Sequence, residues 1–170
     1  MKSEIREKPN GWDIKVIKTL LSYLYGYTFE EDFLRSRVMV ARSRKTGRLK
    51  EIYLDNVLFA TIRLSDGFLV PTLHGWELLI SQGKKYFVEV PEDVASFIAE
   101  GKTVFSKHVT GVYEETLPGD EVVITSKSNS GIKVYGSGKA VLPASSMGKI
   151  KRGKAVKTRH GKNNKLPHKS

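Results

Sequence analysis

Tyr86-Phe87-Val88-Glu89-Val90-Pro91-Glu92-Asp93-Val94-Ala95-Ser96-Phe97-Ile98-Ala99-Glu100-Gly101 is the stretch on which the fold turns. Tyr86 to Val90 alternates and is β-branched, as a strand requires. Pro91, Glu92 and Asp93 suit the first turn of a helix, where a missing N–H costs nothing and negative charge meets the dipole. Val94, Phe97 and Ile98 then mark an apolar helical face, and the helix ends before Gly101. Downstream, short strands are expected at Thr103 to Phe105, Glu121 to Ser126, Gly131 to Tyr135, Lys139 to Leu142 and Ala155 to Thr158. Strands of this length and density, closed by glycine turns, predict a small barrel.

Upstream the pattern differs. Ile14, Ile17, Leu20, Leu21 and Leu24 recur at helical spacing, with Asp13 or Asn10 as N-cap and Gly26 as stop. A short second helix is expected around Glu30 to Leu34. Val38 to Arg42, Leu49 to Leu54, Val57 to Leu64 and Phe68 to Thr72 follow as alternating runs. Lys45-Thr46-Gly47, Asp55-Asn56 and Ser65-Asp66-Gly67 separate them as tight turns, so they read as an antiparallel meander. Thr72 is a candidate cap for a helix from His74 to Ser81 that stops at Gly83. The fold class is α+β: a small α/β sandwich with an antiparallel meander (residues 1–83), followed by a β pseudo-barrel (residues 84–160). Residues 161–170, rich in Lys and Asn, are expected to be a disordered basic tail.

The 170 residues carry a formal charge of +11, placed unevenly. Residues 1–100 are nearly neutral at +1, whereas residues 101–170 carry +10. From Lys149 to Ser170 there are nine Lys or Arg and no acid. Such asymmetry points to a polyanion, nucleic acid ahead of an anionic membrane; the competing reading is a solvated surface. With no cysteine, disulfides, thiolate zinc sites and a cysteine nucleophile are excluded. No apolar run approaches the ~18 residues a membrane span needs. The charged N-terminus lacks a signal core. A cytoplasmic protein without membrane attachment is expected.

The second half resembles a PUA domain through an ordered series of segments: the strand, helix and glycine of Tyr86 to Gly101; the loop Lys102-Thr103-Val104-Phe105-Ser106-Lys107-His108-Val109; Pro118-Gly119-Asp120-Glu121-Val122; the turn Gly136-Ser137-Gly138-Lys139-Ala140; and Arg152-Gly153-Lys154-Ala155-Val156. Lys107-His108 stands where the family usually has Pro-Gly. Arg42-Ser43-Arg44-Lys45-Thr46-Gly47-Arg48, the strand Leu58 to Arg63 and Ser65-Asp66-Gly67 resemble the small domain before PUA in archaeal tRNA-guanine transglycosylase and its archaeosine-synthase relatives. The resemblance covers about residues 15–161 and only the accessory C-terminal module. It implies docking on a tRNA acceptor stem and 3′ end, with catalysis in a separate tRNA-modification subunit. A translation- or ribosome-associated adaptor that binds rRNA or an initiation complex is the alternative.

Duplex RNA presents phosphates and a shallow minor groove, so a reader of it needs cations along an edge and glycines where backbone comes close. Gly101, Lys102, Ser106, Lys107 and His108 offer this at one loop. Lys151, Arg152, Gly153, Lys154, Lys157 and Arg159 offer it along the last strand, and the two form one strip if they lie side by side. Arg42, Arg44, Lys45 and Arg48 are a second, weaker cluster, since neighbouring Glu51 and Asp55 suit a surface-balancing role equally. Phe105 reads as core rather than as a base-stacking platform. His74, His108, His160 and His168 lack metal-ligand spacing, so no metal is expected. Ser65, Asp66 and His74 make a better turn than a triad. Gly136-Ser137-Gly138 is too short for a nucleotide loop. No cofactor and no catalytic residue are expected.

Overall fold

The computed structural model describes residues 5–164. The chain divides after Gln82 into two compact units.

In the first unit, β1 (Arg6–Glu7) leads into α1 (Gly11–Tyr25). Of the two candidate caps Asn10 takes the role. Its side chain accepts from Asp13 N at 2.8 Å while Asp13 Oδ2 accepts from Asn10 N at 2.9 Å, a reciprocal capping box. Gly26, at φ 67°, closes the helix in the left-handed region. After α2 (Glu31–Arg37), the meander comprises β2 (Val38–Arg42), β3 (Leu49–Leu54), β4 (Val57–Ile62) and β5 (Leu69–Pro71), and α3 (Leu73–Gln82) follows. The sheet order is β1-β2-β3-β4-β5, antiparallel throughout. Asp55 and Asn56 both have positive φ, the twist-matched hairpin geometry that an Asp-Asn pair tolerates. Helices α1 and α3 meet where Tyr25 packs edge-on against Trp76, with ring centroids 5.2 Å apart. The Tyr25 hydroxyl donates to Leu69 O at 2.6 Å. Thr72 caps α3 through Gly75 N at 3.0 Å. The strand β1, which pairs Arg6 with Ala41, has no counterpart in the sequence expectation because two charged residues carry no period.

In the second unit, β6 (Phe87–Glu89) and α4 (Glu92–Ala99) precede β7 (Val104–Phe105), a 3-10 turn at Ser106–His108 and β8 (Gly111–Val112). The long strands β9 (Glu121–Ser128), β10 (Gly131–Ala140) and β11 (Lys154–Gly161) complete it. The sheet order is β7-β11-β10-β9-β6-β8, and only β6 and β9 run parallel. The outermost strands, β7 and β8, are joined through the 3-10 turn, so the sheet curls into a half-barrel. Val88, Val90, Ile98, Val104, Val122, Ile124 and Val156 fill its core.

Three expectations are corrected here. Gly136-Ser137-Gly138 is not a turn: it lies inside the single strand β10, bulged between Val134 and Gly136. These glycines admit close backbone approach. A Cβ on Gly138 would stand 2.2 Å from Lys157 O, and one on Gly136 would stand 2.8 Å from His160 O. Phe97 does not belong to the apolar face of α4, which buries Ala95, Ile98 and Ala99 and leaves Phe97 59% exposed. Residues 161–164 are not the start of a tail. Gly161 ends β11, Lys162 N donates to Tyr135 O and Asn163 N donates to Ala99 O. The rest of that stretch, 165–170, lies outside the described residues.

Candidate nucleic-acid interface

The two basic segments of the second unit are neighbours. β7 pairs antiparallel with β11, Phe105 opposite Lys154 and Val104 opposite Val156. Ser106 N donates to Gly153 O at 2.9 Å, and Thr158 Oγ1 donates to Lys102 O at 2.8 Å. This ladder ties the 102–108 loop to 153–158 along its length.

Lys102, Lys107, Lys151, Arg152, Lys154 and Lys157 are exposed along it, and none has a carboxylate partner among the described residues. Gly153, at φ 131°, has open space where a side chain would stand. Sequence reasoning missed Lys139, which lies directly opposite Lys157 in the β10–β11 register. Like charges facing each other across a strand pair disfavour it, and here Glu121 stands opposite Lys139 on its other side, in the β9–β10 register. Only the register reveals the pair, because the two lysines are far apart in sequence. Phe105 is also corrected. It is 44% exposed and shares this edge with Lys154, because β7 turns its side chain away from the core that Val104 enters.

Several other expected contact residues are held by the protein's own groups. Ser106 is fully buried; its hydroxyl accepts from Gly148 N at 3.1 Å and faces Ser146 O at 3.4 Å, which fixes the 3-10 turn. Its side chain therefore offers nothing to a ligand. Arg159 Nη2 lies 2.7 Å from Glu121, whose side chain is buried, so this guanidinium neutralises an interior carboxylate. Gly101, at φ 86°, turns the chain after α4 where a Cβ would collide with the Asn164 amide at 2.7 Å. His108 is half-buried. Burial, reinforced by neighbouring Arg159, holds the His160 imidazole below its ordinary pKa.

The second cluster, in the first unit, divides similarly. Arg42 reaches Asp13 at 2.6 Å and Glu7 at 2.5 Å, and the Asp13 side chain is 3% exposed. These carboxylates raise the Arg42 pKa and hold it as a structural cation. Arg44, Lys45 and Arg48 remain at the exposed hairpin. Near the start of the second unit, burial pushes the Glu89 carboxyl up, but Lys84 at 2.8 Å and Lys127 at 3.3 Å outweigh it and keep it below the usual carboxylate range. Among the described residues no group of three His, Asp or Glu is placed to hold a metal. No helix among them is long and apolar enough to cross a membrane.

Comparison with known proteins matches residues 15–84 to the patch-forming domain C2 of tRNA-guanine transglycosylase and residues 86–162 to the PUA domain. The tRNA-guanine(15) transglycosylase of Methanobrevibacter smithii is 32% identical over 151 residues, covering 88% of this chain and 22% of that protein. The Methanocaldococcus jannaschii protein of the same name is 33% identical over 149 residues, covering 85% of this chain. The chain thus spans 22% of the length of either relative. Among solved structures, a hypothetical protein from Pyrococcus horikoshii superposes with a TM-score of 0.71 at 23% identity, covering 95% of this chain and 96% of that one. A PUA-domain protein from Aeropyrum pernix superposes at 0.72 and 21% identity, covering 95% and 88%. These two share the fold.

Proposed function

For a chain that joins a C2 domain of the tRNA-guanine transglycosylase kind to a PUA domain, we propose a non-catalytic RNA-binding role. It docks the acceptor stem and 3′ end of tRNA for a separate tRNA-modifying enzyme. The observation that carries this reading is the β7–β11 ladder, which sets Lys102 and Lys107 beside Lys151, Arg152, Lys154 and Lys157 on one edge. Cations with no internal carboxylate are free to replace the counterions of a phosphate backbone. An A-form helix is recognised through phosphates and 2′-hydroxyls, the groups that such cations engage. The exposed ring of Phe105 at the same edge provides a face for one unpaired base, a contact worth about 1–3 kcal/mol by alanine substitution. The likeness to transglycosylases that carry this module supports tRNA over other RNAs.

The test is equilibrium binding to tRNA with and without its 3′-terminal CCA. Tight, salt-sensitive binding that weakens on removing CCA is the expected result. Binding that ignores CCA favours the ribosomal adaptor, and absence of salt-sensitive binding to tRNA or rRNA overturns the reading.

A further inference from the structure

The outer face of α1 is built unlike a solvated helix surface. At 3.6 residues per turn, Trp12, Val16, Thr19, Leu20 and Tyr23 fall within about 100° of arc, opposite the buried Ile14, Ile17, Leu21 and Tyr25. Trp12 is 70% exposed and Tyr23 is 83% exposed. Val16 and Leu20 continue into a groove of about 300 Å³ whose floor is Leu49, Ile62 and Leu64. An aromatic stripe running into an aliphatic groove is a contiguous apolar surface left facing water. Tryptophan and tyrosine are also the side chains that dominate binding energy when buried at an interface.

Charge restricts the occupant. The cations of α1 are Lys15, whose ammonium stands 5.8 Å from the Trp12 ring, and Lys18. Its one acid, Asp13, is buried against Arg42. Arg48 adds an exposed cation at the groove, while Arg63 there is engaged by Asp66. A second copy of this chain would bring the same cations against themselves. RNA would meet cations only at the rim, Lys15, Lys18 and Arg48, above an aliphatic floor that offers bases and phosphates no hydrogen bond. What fits both the shape and the rim is an amphipathic helix with an acidic flank.

We propose that this α1 face docks an acidic amphipathic helix of a partner protein. The inference goes beyond the RNA reading and stands or falls separately from it, because no residue of the β7–β11 edge takes part.

The chain has two tryptophans, and Trp76 is fully buried, so Trp12 emission reports the face directly. The probes are helical peptides selected from a displayed library against the full chain. Selection is expected to enrich leucine-rich peptides with Glu or Asp on the flanks. Titrating them should shift Trp12 emission to the blue and saturate. Trp12→Phe should remove the signal, Tyr23→Ala should weaken binding at least tenfold, and changing peptide Glu to Lys should abolish it. Enrichment of neutral or basic peptides, no enrichment, or binding indifferent to Tyr23→Ala overturns the proposal. So does the same saturable blue shift produced by tRNA, which would make the face an RNA contact. A shift that grows with protein concentration alone would make it a self-association surface.

Discussion

Replacing Lys154 and Lys157 together with alanine removes two of six free cations from one edge, and the effect on RNA affinity follows from counterion release. Lys102, Lys107, Lys151, Arg152, Lys154 and Lys157 are exposed without internal carboxylate partners among the described residues. If each neutralises one phosphate, log K falls against log salt with a slope of roughly −4 to −5, taking about 0.7–0.9 per contact. Affinity for tRNA then drops by between two and three orders of magnitude from roughly 50 to 200 mM salt. The double variant should flatten the slope by about 1.4–1.8. Where the two lines converge near 1 M, that corresponds to roughly 25- to 60-fold weaker binding at about 0.1 M. Fluorescence anisotropy over a salt series measures this directly. A wild-type slope shallower than about −2, or a double variant that keeps the wild-type slope, refutes the reasoning.

Ser106→Ala should cost about 1–3 kcal/mol in chemical denaturation, because Gly148 N–H loses its buried acceptor, while the salt slope of RNA binding stays unchanged. Arg42→Ala should destabilise the first unit by about 1–3 kcal/mol, measured in urea melts, since it strips the charged hydrogen bond from buried Asp13. Its effect on RNA affinity should be small. Glu89 has a depressed folded pKa, so its contribution to stability is complete above the ordinary carboxylate range and is lost as pH falls through the lowered value. Lys84→Met with Lys127→Met should move that loss to higher pH in melting curves of the full chain. Curves that superpose across acidic pH would show that Glu89 owes nothing to the two lysines.

Where the chemistry is local, the sequence carries it clearly. Asn10, Asp13 and Gly26 delimit α1, and Thr72 caps α3, because caps act on the backbone within a few residues. The meander was legible for the same reason: a period of two between turns such as Asp55-Asn56 admits few alternatives. Reading failed where a residue answers to something distant. Gly136 and Gly138 look like a turn until β11 is laid against them at under 3 Å, and then they are the only residue type that fits. Ser106 looks like a polar loop residue, yet its partners lie some forty positions away. Phe105 and Lys139 changed meaning through strand register, which composition does not encode. The basic strip was foreseeable as two segments; which of its side chains stay free depended on where Glu121 is buried.

The position of β11 within its sheet has a temporal consequence. It is the last strand of that sheet to be synthesised, yet it sits between β7 and β10 rather than at a margin. Its pairing with β7 joins residues about fifty positions apart, a non-local closure of the kind that slows folding. The first unit is complete once Gln82 has emerged and can fold while the rest is still on the ribosome. Val104 must wait for its β11 partner Val156, about fifty residues later, roughly 3 to 10 s at typical elongation rates. Because that same strand brings Lys154 and Lys157, two of the six free cations, and anchors the edge to β7, an unfinished chain has no such edge to offer. Whatever polyanion the finished protein holds, its nascent form is blind to it.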